Sequence, residues 1–573
     1  MNERTPEELN VEPGEEVQET TWEPGEEVRV KDEEEDRPSP GKTSLLLERA
    51  REGVVSRKAQ WAWLLAILAV FAAAIIWRWH FASQAKIYTY DSYFYMVLGR
   101  NLRHGLDYSV AGHAHFKFMP LYPISIAFLN LFIPNLEFVG KFSNVLFAAA
   151  CVFPIYSIGA MLFGRRTGLA AAALFAFEPI TTAWSAAPMS EGLFTLLVCL
   201  SAFWFLKWMK RGEEGEEGYK HLYFCAAAAG LTFVTRWEGA LLLAFLGIFL
   251  LYYWWRRKLR FKNLFIFGLI ALAPFALLLL RNLITFGTPV KSAYLEELGA
   301  HPEQFETLNA WGRLQRYFMF SDVLPLGISK NLYHYAYLLF GYAGLLLTLV
   351  LKRYRRYGVF LWAWLIFMGP MHFIWYFASN RFLFPAVPVL CIGAGVLIGL
   401  PWIKMERAKT GMAMSVFLIL IVVCMVGILA LTGRPMTNDI FNNAIRSLED
   451  DVGGLAAREA VLWLEENGGD ELVATSLGPM VSFYLGRDAL FLGPWQGFEP
   501  ADVRIDHLVE DARELGVRYI VLWSWEPYEW RPLEYLGLDE SLLDELELVD
   551  VWVEPAQTQW NRTVYAWIFE VSP

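Results

Sequence analysis

The chain contains 573 residues, of which 55% are apolar, and its mean hydropathy is +0.32. Several apolar runs reach the about 20 residues that a helix needs to cross a bilayer, so the composition excludes an ordinary soluble domain and predicts a polytopic membrane protein. The net charge of −11 reflects acidic solvated segments, since residues 1–40 alone carry fifteen acidic and four basic side chains. We therefore predict membrane lipid, and no nucleic acid, as a partner.

Residues 1–58 are predicted to form a disordered acidic cytoplasmic tail that ends in a basic juxtamembrane stretch. The tail is rich in Glu, Pro and Gly and contains a near-duplicated sequence, VEPGEEVQ (Val11–Gln18) and WEPGEEVR (Trp22–Arg29). Such a composition cannot bury enough apolar surface to fold. The basic stretch Arg49–Lys58 directly precedes the first apolar run.

Apolar runs predict a membrane domain over 59–432 with eleven spans. Six clusters of Lys and Arg fall in short loops, and the positive-inside bias assigns such loops to the cytoplasm. This arrangement predicts a multi-pass protein of the cell membrane with a cytoplasmic N-terminus and an extracytoplasmic C-terminus. The run Pro120–Phe132 is short and broken by proline, so we expect it at the outer interface. The predicted spans are 61–80, 138–163, 166–184, 188–208, 220–236, 238–255, 263–283, 333–351, 357–377, 383–402 and 411–432.

The regions that face outward are two long loops, 81–137 and 284–332, and a C-terminal segment, 433–573. In that segment, ELVATSL (Glu471–Leu477) and VRYIVLWSW (Val517–Trp525) are typical of strands, and LELVDVWVEP and RTVYAWIFEV predict a closing antiparallel pair. Two segments that end in Gly predict helices. The predicted fold is mostly α: a polytopic helical bundle with a small extracytoplasmic α/β domain.

Ionisable residues in and beside the predicted spans concentrate at their outer ends. Charged groups inside a membrane are unfavourable and indicate functional sites by default. Their convergence on one face predicts a site there, whereas isolated cases are explained by anchoring at the interface. A coupled transporter, the alternative from another class, instead predicts charges near the midplane in two repeated halves. The clearest outer residues are Glu191, Arg236, Glu238, Arg281 and Arg381.

Four segments taken in order resemble the GT-C fold glycosyltransferases. They are YDSYFYMVLGRNLRHG with HFKFMPLYP, then AAPMSEGLFTLLVCLSAFWFLKW, FVTRWEGALLLAFLGIFLL and SNRFLFPAVPVLCIGAGVL. The resemblance runs from about 61 to 432 and implies an inverting enzyme. Its donor would be a polyprenyl- or dolichyl-phosphate-linked sugar, and its acceptor a glycan, lipid or protein at the outer face.

The resemblance also implies roles for individual residues. Asp91 is the expected general base, with Glu191 as the second carboxylate. The alternative for Asp91 is a helix cap, and for Glu191 a charge that favours a helix N-terminus. Arginine suits a bidentate grip on phosphate. The candidates for binding the donor phosphate or the substrate are Lys117, Arg236, Glu238, Arg281, Arg381, His115 and Tyr93.

The chain also departs from the family pattern. It has Asp91-Ser92 where many members have Asp-Glu, and WSWEPYEW (Trp523–Trp530) does not match the WWDYG of oligosaccharyltransferases. We therefore favour transfer of a single sugar over transfer of a lipid-linked glycan. A non-catalytic scaffold is a third alternative.

No metal site is firmly predicted. Only two well-placed carboxylates are visible, so a metal-free mechanism is favoured, with Mg²⁺ or Mn²⁺ as the open alternative. His113 and His115 form an HxH pair in a loop, a pattern that is more often polar surface. The five cysteines include no CxxC pair.

Overall fold

The computed structural model describes residues 40–86, 88–215, 218–291, 310–319, 332–369, 379–405, 431–442, 454–492, 502–525, 545–554 and 563–572. These residues are mostly helical, as the sequence predicts. Four helical stretches are long and apolar enough to cross a membrane: Gln60–Ala82, Leu136–Phe163, Glu191–Glu213 and Phe261–Phe286.

The helices of the first half are labelled α1 to α11. They are α1 (Pro40–Ala82), α2 (Tyr90–Gly105), α3 (Leu121–Asn130), α4 (Leu136–Ala150), α5 (Val152–Phe163), α6 (Arg165–Ala176), α7 (Pro179–Trp184), α8 (Glu191–Glu213), α9 (Tyr219–Phe233), α10 (Gly239–Trp255) and α11 (Phe261–Phe286). The later helices are Ala310–Met319, Leu332–Val350, Arg355–Phe367, Val387–Met405, Gly454–Asn467, Gly478–Tyr484 and Leu508–Leu515, with a further helical segment at 431–441.

Helices lie at the first ten of the eleven predicted spans. The eleventh, 411–432, falls almost entirely outside the described residues. The short apolar run expected at the interface is the ten-residue helix α3. The span count, the orientation of the termini and the domain bounds 1–58, 59–432 and 433–573 stay predictions, as do the outer loops 81–137 and 284–332.

The predicted span 166–184 is broken into α6 and α7, and the break has a local cause. Pro179 stands at the start of α7, where it has no N–H to donate, and Glu178 caps the new helix by accepting from Thr181 N at 2.7 Å. Arg78 of α1, which is fully buried, donates to the carbonyls of Ala176 and Phe175 at the end of α6. A buried guanidinium therefore satisfies carbonyls that the broken helix leaves without an internal partner.

The C-terminal part of the described chain, called the outer domain after its predicted location, contains a five-stranded sheet. Its strands are β3 (Leu472–Thr475), β4 (Leu490–Phe491), β5 (Val517–Trp525), β6 (Leu546–Glu554) and β7 (Val564–Val571); β1 (Ser109–Val110) and β2 (His113–Ala114) form a separate hairpin in the first outer loop. β3 pairs in parallel with β4 and β5, and β7 pairs antiparallel with β5 and β6. The closing antiparallel pair expected from the sequence is confirmed as β6 and β7. The two-residue strand β4 was not predicted.

The outer domain packs on α2 through the helix Gly478–Tyr484 and the loop that follows it. Arg100 of α2 forms an ion pair with Asp488 and donates from Nη1 to the Ser482 carbonyl at 2.6 Å. The Arg100 side chain is only 10% exposed. Beside it, the hydroxyls of Tyr93 and Tyr484 lie 3.3 Å apart. α2 is thus held between the membrane bundle and the outer domain.

Replacing Arg100 with alanine is expected to loosen the outer domain. The change removes the charged partner of Asp488 and a donor to the buried Ser482 carbonyl, which destabilises by about 1–3 kcal/mol. Thermal unfolding and limited proteolysis of the full-length protein measure the effect. Arg518→Ala is the matched control, because its ion pair with Glu570 is 48% and 33% exposed and is expected to contribute little. Equal behaviour of the two variants would contradict this account of the contact.

Candidate active site

Asp91 lies in the first turn of α2, and its neighbour Thr89 is the N-cap. The Thr89 hydroxyl accepts a hydrogen bond from Ser92 N at 3.3 Å. Thr89 therefore fills the capping role that was the alternative for Asp91. Asp91 Oδ2 instead accepts from Arg381 Nη1 at 3.1 Å, and the Asp91 side chain is 30% exposed. The carboxylate is both paired and accessible.

Arg381 comes from a short 3₁₀ turn, Asn380–Leu383, that precedes the helix Val387–Met405. Trp184 of α7 donates from Nε1 to Asn380 Oδ1 at 2.6 Å, and its ring lies 6.0 Å from the Arg381 guanidinium. Ser379 accepts from Arg381 N at 3.4 Å. The turn is therefore held at the two residues that directly precede Arg381.

Arg236 lies between two carboxylates at the N-terminal ends of α8 and α10, the ends that are predicted to face outward. Its Nη1 donates to Glu191 Oε1 at 2.8 Å, and its Nη2 donates to Glu238 Oε1 at 2.6 Å. The side chains of Glu191, Glu238 and Arg236 are 3%, 12% and 15% exposed. One guanidinium thus faces two acids, and the buried group carries a net charge of −1 when both acids are ionised.

Ser190 and Tyr95 complete this group. Arg236 Nη1 also donates to Ser190 Oγ at 3.1 Å, and the Tyr95 hydroxyl lies 3.0 Å from the same oxygen. Glu191 Oε2 has no hydrogen-bond partner in the described part of the chain, although the residue is only 2% exposed. Buried polar atoms normally have a partner. This oxygen can accept a hydrogen bond from a substrate hydroxyl.

A small cavity of about 10 Å³ lies between the two groups. Glu191, Arg236, Glu238 and Arg381 line it, and Arg381 in turn holds Asp91. The apolar part of the wall comes from Phe194, Leu241, Met368, Phe382 and Pro385. Five of the nine residues singled out from the sequence therefore meet at one place.

Lys117, His115 and Arg281 form a second, basic group in the first outer loop and at the end of α11. The Arg281 guanidinium lies 5.4 Å from the Tyr108 ring and 5.0 Å from the Phe286 ring, and it has no carboxylate within ion-pair distance in the described residues. Lys117 is 8% exposed, with Nζ 5.9 Å from the Phe118 ring. Cations held against aromatic faces in this way are suited to an anionic ligand.

His115 is a buried member of the basic group. Its Nε2 accepts from Phe118 N at 3.0 Å, and its ring stacks on that of Phe118. Burial, with Lys117 and Arg281 nearby, lowers the pKa of His115 to about 3. The imidazole is therefore neutral at physiological pH.

One layer of aromatic side chains separates the basic group from the carboxylates. Tyr95, which contacts Ser190, packs its ring 4.8 Å from that of Phe118. The backbone is also joined here, since Leu121 N donates to Val234 O at 3.0 Å in the turn that carries Arg236. The two groups thus lie side by side at the outer end of the bundle.

Tyr93 is not part of either group. It is 2% exposed and packs on Tyr88, Phe483 and Tyr484, where α2 meets the outer domain. The structure therefore places Tyr93 in an interdomain contact, away from the residues that line the cavity.

The described residues include no group of three or more His, Cys, Asp or Glu side chains that could hold a metal ion. Asp91 and Glu191 each accept a hydrogen bond from an arginine through one carboxylate oxygen. A guanidinium in that position opposes a divalent cation, so the residues present do not fit one. We derive no step through a metal.

Residues 117–280 match the family model described as dolichyl-phosphate-mannose-protein mannosyltransferase. The fold is similar to that of ArnT from Cupriavidus metallidurans bound to undecaprenyl phosphate, with 15% identity, a TM-score of 0.55, and coverage of 88% of this chain and 98% of that chain. It is also similar to the archaeal oligosaccharyltransferase AglB from Archaeoglobus fulgidus in complex with an inhibitory peptide and a dolichol-phosphate, with 14% identity, a TM-score of 0.54, and coverage of 81% and 69%. No curated protein sequence matches the chain.

The fold is that of the GT-C glycosyltransferases. The resemblance predicted from the sequence, the mostly helical fold class and the assignment as a sugar-transferring enzyme of the membrane are confirmed. The matched residues 117–280 include Lys117, Glu191, Arg236 and Glu238. A further AglB structure, a complex with Zn and sulfate, has 15% identity and a TM-score of 0.51 over 80% of this chain and 67% of that chain.

Sequence reasoning missed Asn144, which positions the GT-C cavity. Asn144 is fully buried in α4, and its Nδ2 donates to the carbonyls of Trp184 at 3.1 Å and Ala187 at 2.7 Å. Its Oδ1 accepts from Gly192 N at 3.1 Å, one residue after Glu191. A Cβ at position 192 would lie 2.4 Å from Asn144 Oδ1, so only glycine fits there. In the sequence, the signal for this role is an amide side chain inside an apolar run.

Replacing Asn144 with alanine is expected to destabilise the protein strongly. Each buried group that loses its partner costs about 1–3 kcal/mol, and three groups lose one here. Ser157→Ala in the same region is the control, since its hydroxyl only bonds back to Phe153 O at 2.8 Å within a helix. Thermal unfolding of the purified variants measures the difference. A melting temperature of Asn144→Ala that equals that of Ser157→Ala would refute the role of Asn144.

The buried histidine predicts an acid-sensitive stability. His115 takes up a proton near pH 6.5 when unfolded but only near pH 3 when folded, so the unfolded state binds more protons between these values. Stability therefore falls as the pH drops below 6.5, by about 2 kcal/mol at pH 5. His115→Gln is expected to remove this part of the acid dependence of unfolding. His507→Gln, at a histidine that is 43% exposed, is expected to leave it unchanged. A variant at position 115 with the acid sensitivity of the native chain would contradict the prediction.

Proposed function

We propose that the protein transfers a single sugar from a polyprenyl- or dolichyl-phosphate carrier to an acceptor at the outer membrane face. The acceptor is a protein, a lipid or a glycan. The observation that carries the proposal is the convergence of Asp91, Glu191 and three arginine or acid partners on one cavity, with a basic group beside it.

The proposed step is a direct displacement at the anomeric carbon. The acceptor oxygen attacks from the face opposite the lipid phosphate, its proton passes to Asp91, and the bond between the anomeric carbon and the phosphate oxygen breaks. The electron pair of that bond leaves with the lipid phosphate, and the anomeric configuration inverts. Asp91 suits the role of base because its carboxylate is partly exposed and is held in place by a hydrogen bond from Arg381.

Charge pairing decides which cations receive the phosphate. Arg236 is shared by Glu191 and Glu238, and Arg381 pairs with Asp91, so their charges are already balanced. We therefore do not assign Arg236 and Arg381 to the phosphate, although the sequence makes them candidates. Arg281, which has no carboxylate within ion-pair distance among the described residues, is assigned to the phosphate instead, together with Lys117 of the same basic group, since fixed cations stabilise the charge that develops on the leaving group.

Glu191 is proposed to orient the sugar. Its Oε1 is held by Arg236, and its Oε2 points to no other group in the described chain. A sugar hydroxyl that donates to Oε2 would satisfy this oxygen and fix the orientation of the ring. Glu238 then acts as a positioning residue, because it holds Arg236 from the other side.

Two of the similar structures support a lipid-phosphate donor. ArnT from Cupriavidus metallidurans was solved with undecaprenyl phosphate, and AglB from Archaeoglobus fulgidus with a dolichol-phosphate and a peptide. The likeness to AglB also favours a second candidate, the transfer of a lipid-linked oligosaccharide. The two functions differ in their donor: the first uses a carrier with one sugar and one phosphate, and the second a carrier with a whole glycan.

Sugar transfer from a polyprenyl-phosphate-linked monosaccharide in membranes tests the proposal. Asp91→Asn is expected to lower the turnover rate by about 10²–10⁴-fold, because the acceptor loses its base. Asp470→Asn removes an exposed carboxylate of the outer domain and is expected to leave the rate unchanged. Near-native activity of Asp91→Asn at equal expression would exclude Asp91 as the base. Transfer only from a glycan-loaded carrier would favour the second candidate.

A further inference from the structure

A second cavity, of about 310 Å³, lies where α2 meets the outer domain. Its lining residues are Arg100, Arg103, His104, Asn130, Pro134, Leu136, Glu137, Phe483, Tyr484 and Gly486, and none of them lines the cavity at Glu191. They come from the end of α2, the connection between α3 and α4, and the helix Gly478–Tyr484 with the turn after it. The volume is in the range of ligand-binding cavities.

The cavity carries positive charge that the described residues do not balance. Arg100 is paired with Asp488, and Glu137 is paired with Lys141 at 2.9 Å and accepts from Tyr88 at 2.5 Å. These charges therefore cancel locally.

Arg103 differs from these groups. Its Nη1 donates to the neutral Asn130 Oδ1 at 2.8 Å, and it has no carboxylate within ion-pair distance in the described chain. A guanidinium has five N–H donors, so Arg103 keeps donors for an anionic ligand. His104 beside it is exposed and likewise has no acidic partner among the described residues.

Next to the lining residue Asn130, the end of α3 exposes apolar side chains. Phe128, Leu131 and Phe132 at the end of α3 are 59%, 61% and 71% exposed, and the two phenylalanine rings lie 5.4 Å apart. Asn130 lies between them in sequence, lines the cavity, and donates from Nδ2 to Ile133 O at 2.8 Å, which folds the connection to α4. The cavity that contains Arg103 thus lies beside an apolar surface that is suited to lipid acyl chains.

We propose that this cavity binds the headgroup of an anionic phospholipid from the surrounding bilayer leaflet. The lipid phosphate accepts from the Arg103 guanidinium, the glycerol end packs on Phe483 and Tyr484, and the acyl chains lie along Phe128 and Phe132. A zwitterionic lipid is a weaker ligand, because its second charge opposes that of Arg103. The bound lipid contacts both α2 and the outer domain, so it stabilises their contact.

Lipid binding by the full-length protein tests this proposal without any measurement of sugar transfer. The protein is purified in a neutral detergent, and native mass spectrometry measures its retention of phosphatidylglycerol and of phosphatidylcholine. Arg103→Ala is expected to weaken retention of phosphatidylglycerol about tenfold, through the loss of charge-assisted hydrogen bonds. Arg103→Lys keeps the charge and is expected to retain most of the binding. Arg256→Ala, at an exposed arginine beside Trp255, is the control for non-specific loss of charge and is expected to bind like the native chain.

The outcomes are distinct. Selective loss of phosphatidylglycerol from Arg103→Ala, with phosphatidylcholine unchanged and with an unchanged melting temperature in detergent alone, supports the site. Equal retention by Arg103→Ala and Arg256→Ala overturns it. Displacement of phosphatidylglycerol by inorganic phosphate at equal concentration overturns the lipid as the ligand and assigns the site to a free phosphate. If the native chain retains phosphatidylglycerol selectively but transfers no sugar, the result supports the lipid site and contradicts only the proposed function.

Discussion

The structure depends on a guanidinium that is held between two carboxylates at the N-terminal ends of α8 and α10. Arg236 bonds to Glu191 and to Glu238, and all three side chains are largely buried. An ion group of this kind is tolerated only when its partners are in place, and the loss of one partner from a buried pair destabilises by about 3–5 kcal/mol. Helices α8 and α10 are therefore fixed relative to one another, and Asn144 fixes the start of α8 against α4 and α7.

The ion pairs also separate the cations into two groups with different proposed roles. Arginines that neutralise acids shape the cavity, whereas Arg281 and Lys117 lie beyond a layer formed by Tyr95 and Phe118. In the proposed reaction, negative charge moves from the acceptor side, at Asp91, to the leaving phosphate. Fixed cations on the phosphate side favour that movement, since they need no rearrangement as the charge develops. The positions of the charged residues thus favour movement of negative charge from the acceptor side towards the phosphate.

The sequence predicts the helices and the outer sheet well because hydropathy and strand alternation are local properties. It also finds Asp91 and Glu191, since a carboxylate beside an apolar run stands out. It cannot predict the partner of each charge: Arg381 and Asp91 are 290 positions apart, and only the packing of the bundle brings them together. For the same reason it misses Asn144, whose three hydrogen bonds join separate helices.

The position of the donor phosphate tests the central claim most directly. A structure of the full-length protein with a bound polyprenyl phosphate locates that group without any assumption about the acceptor. We expect the phosphate within hydrogen-bond distance of Arg281 and Lys117, with the path to the anomeric carbon open to Asp91. A phosphate bound at Arg236 or Arg381, with their carboxylate pairs broken, would contradict the division of charges on which the account rests.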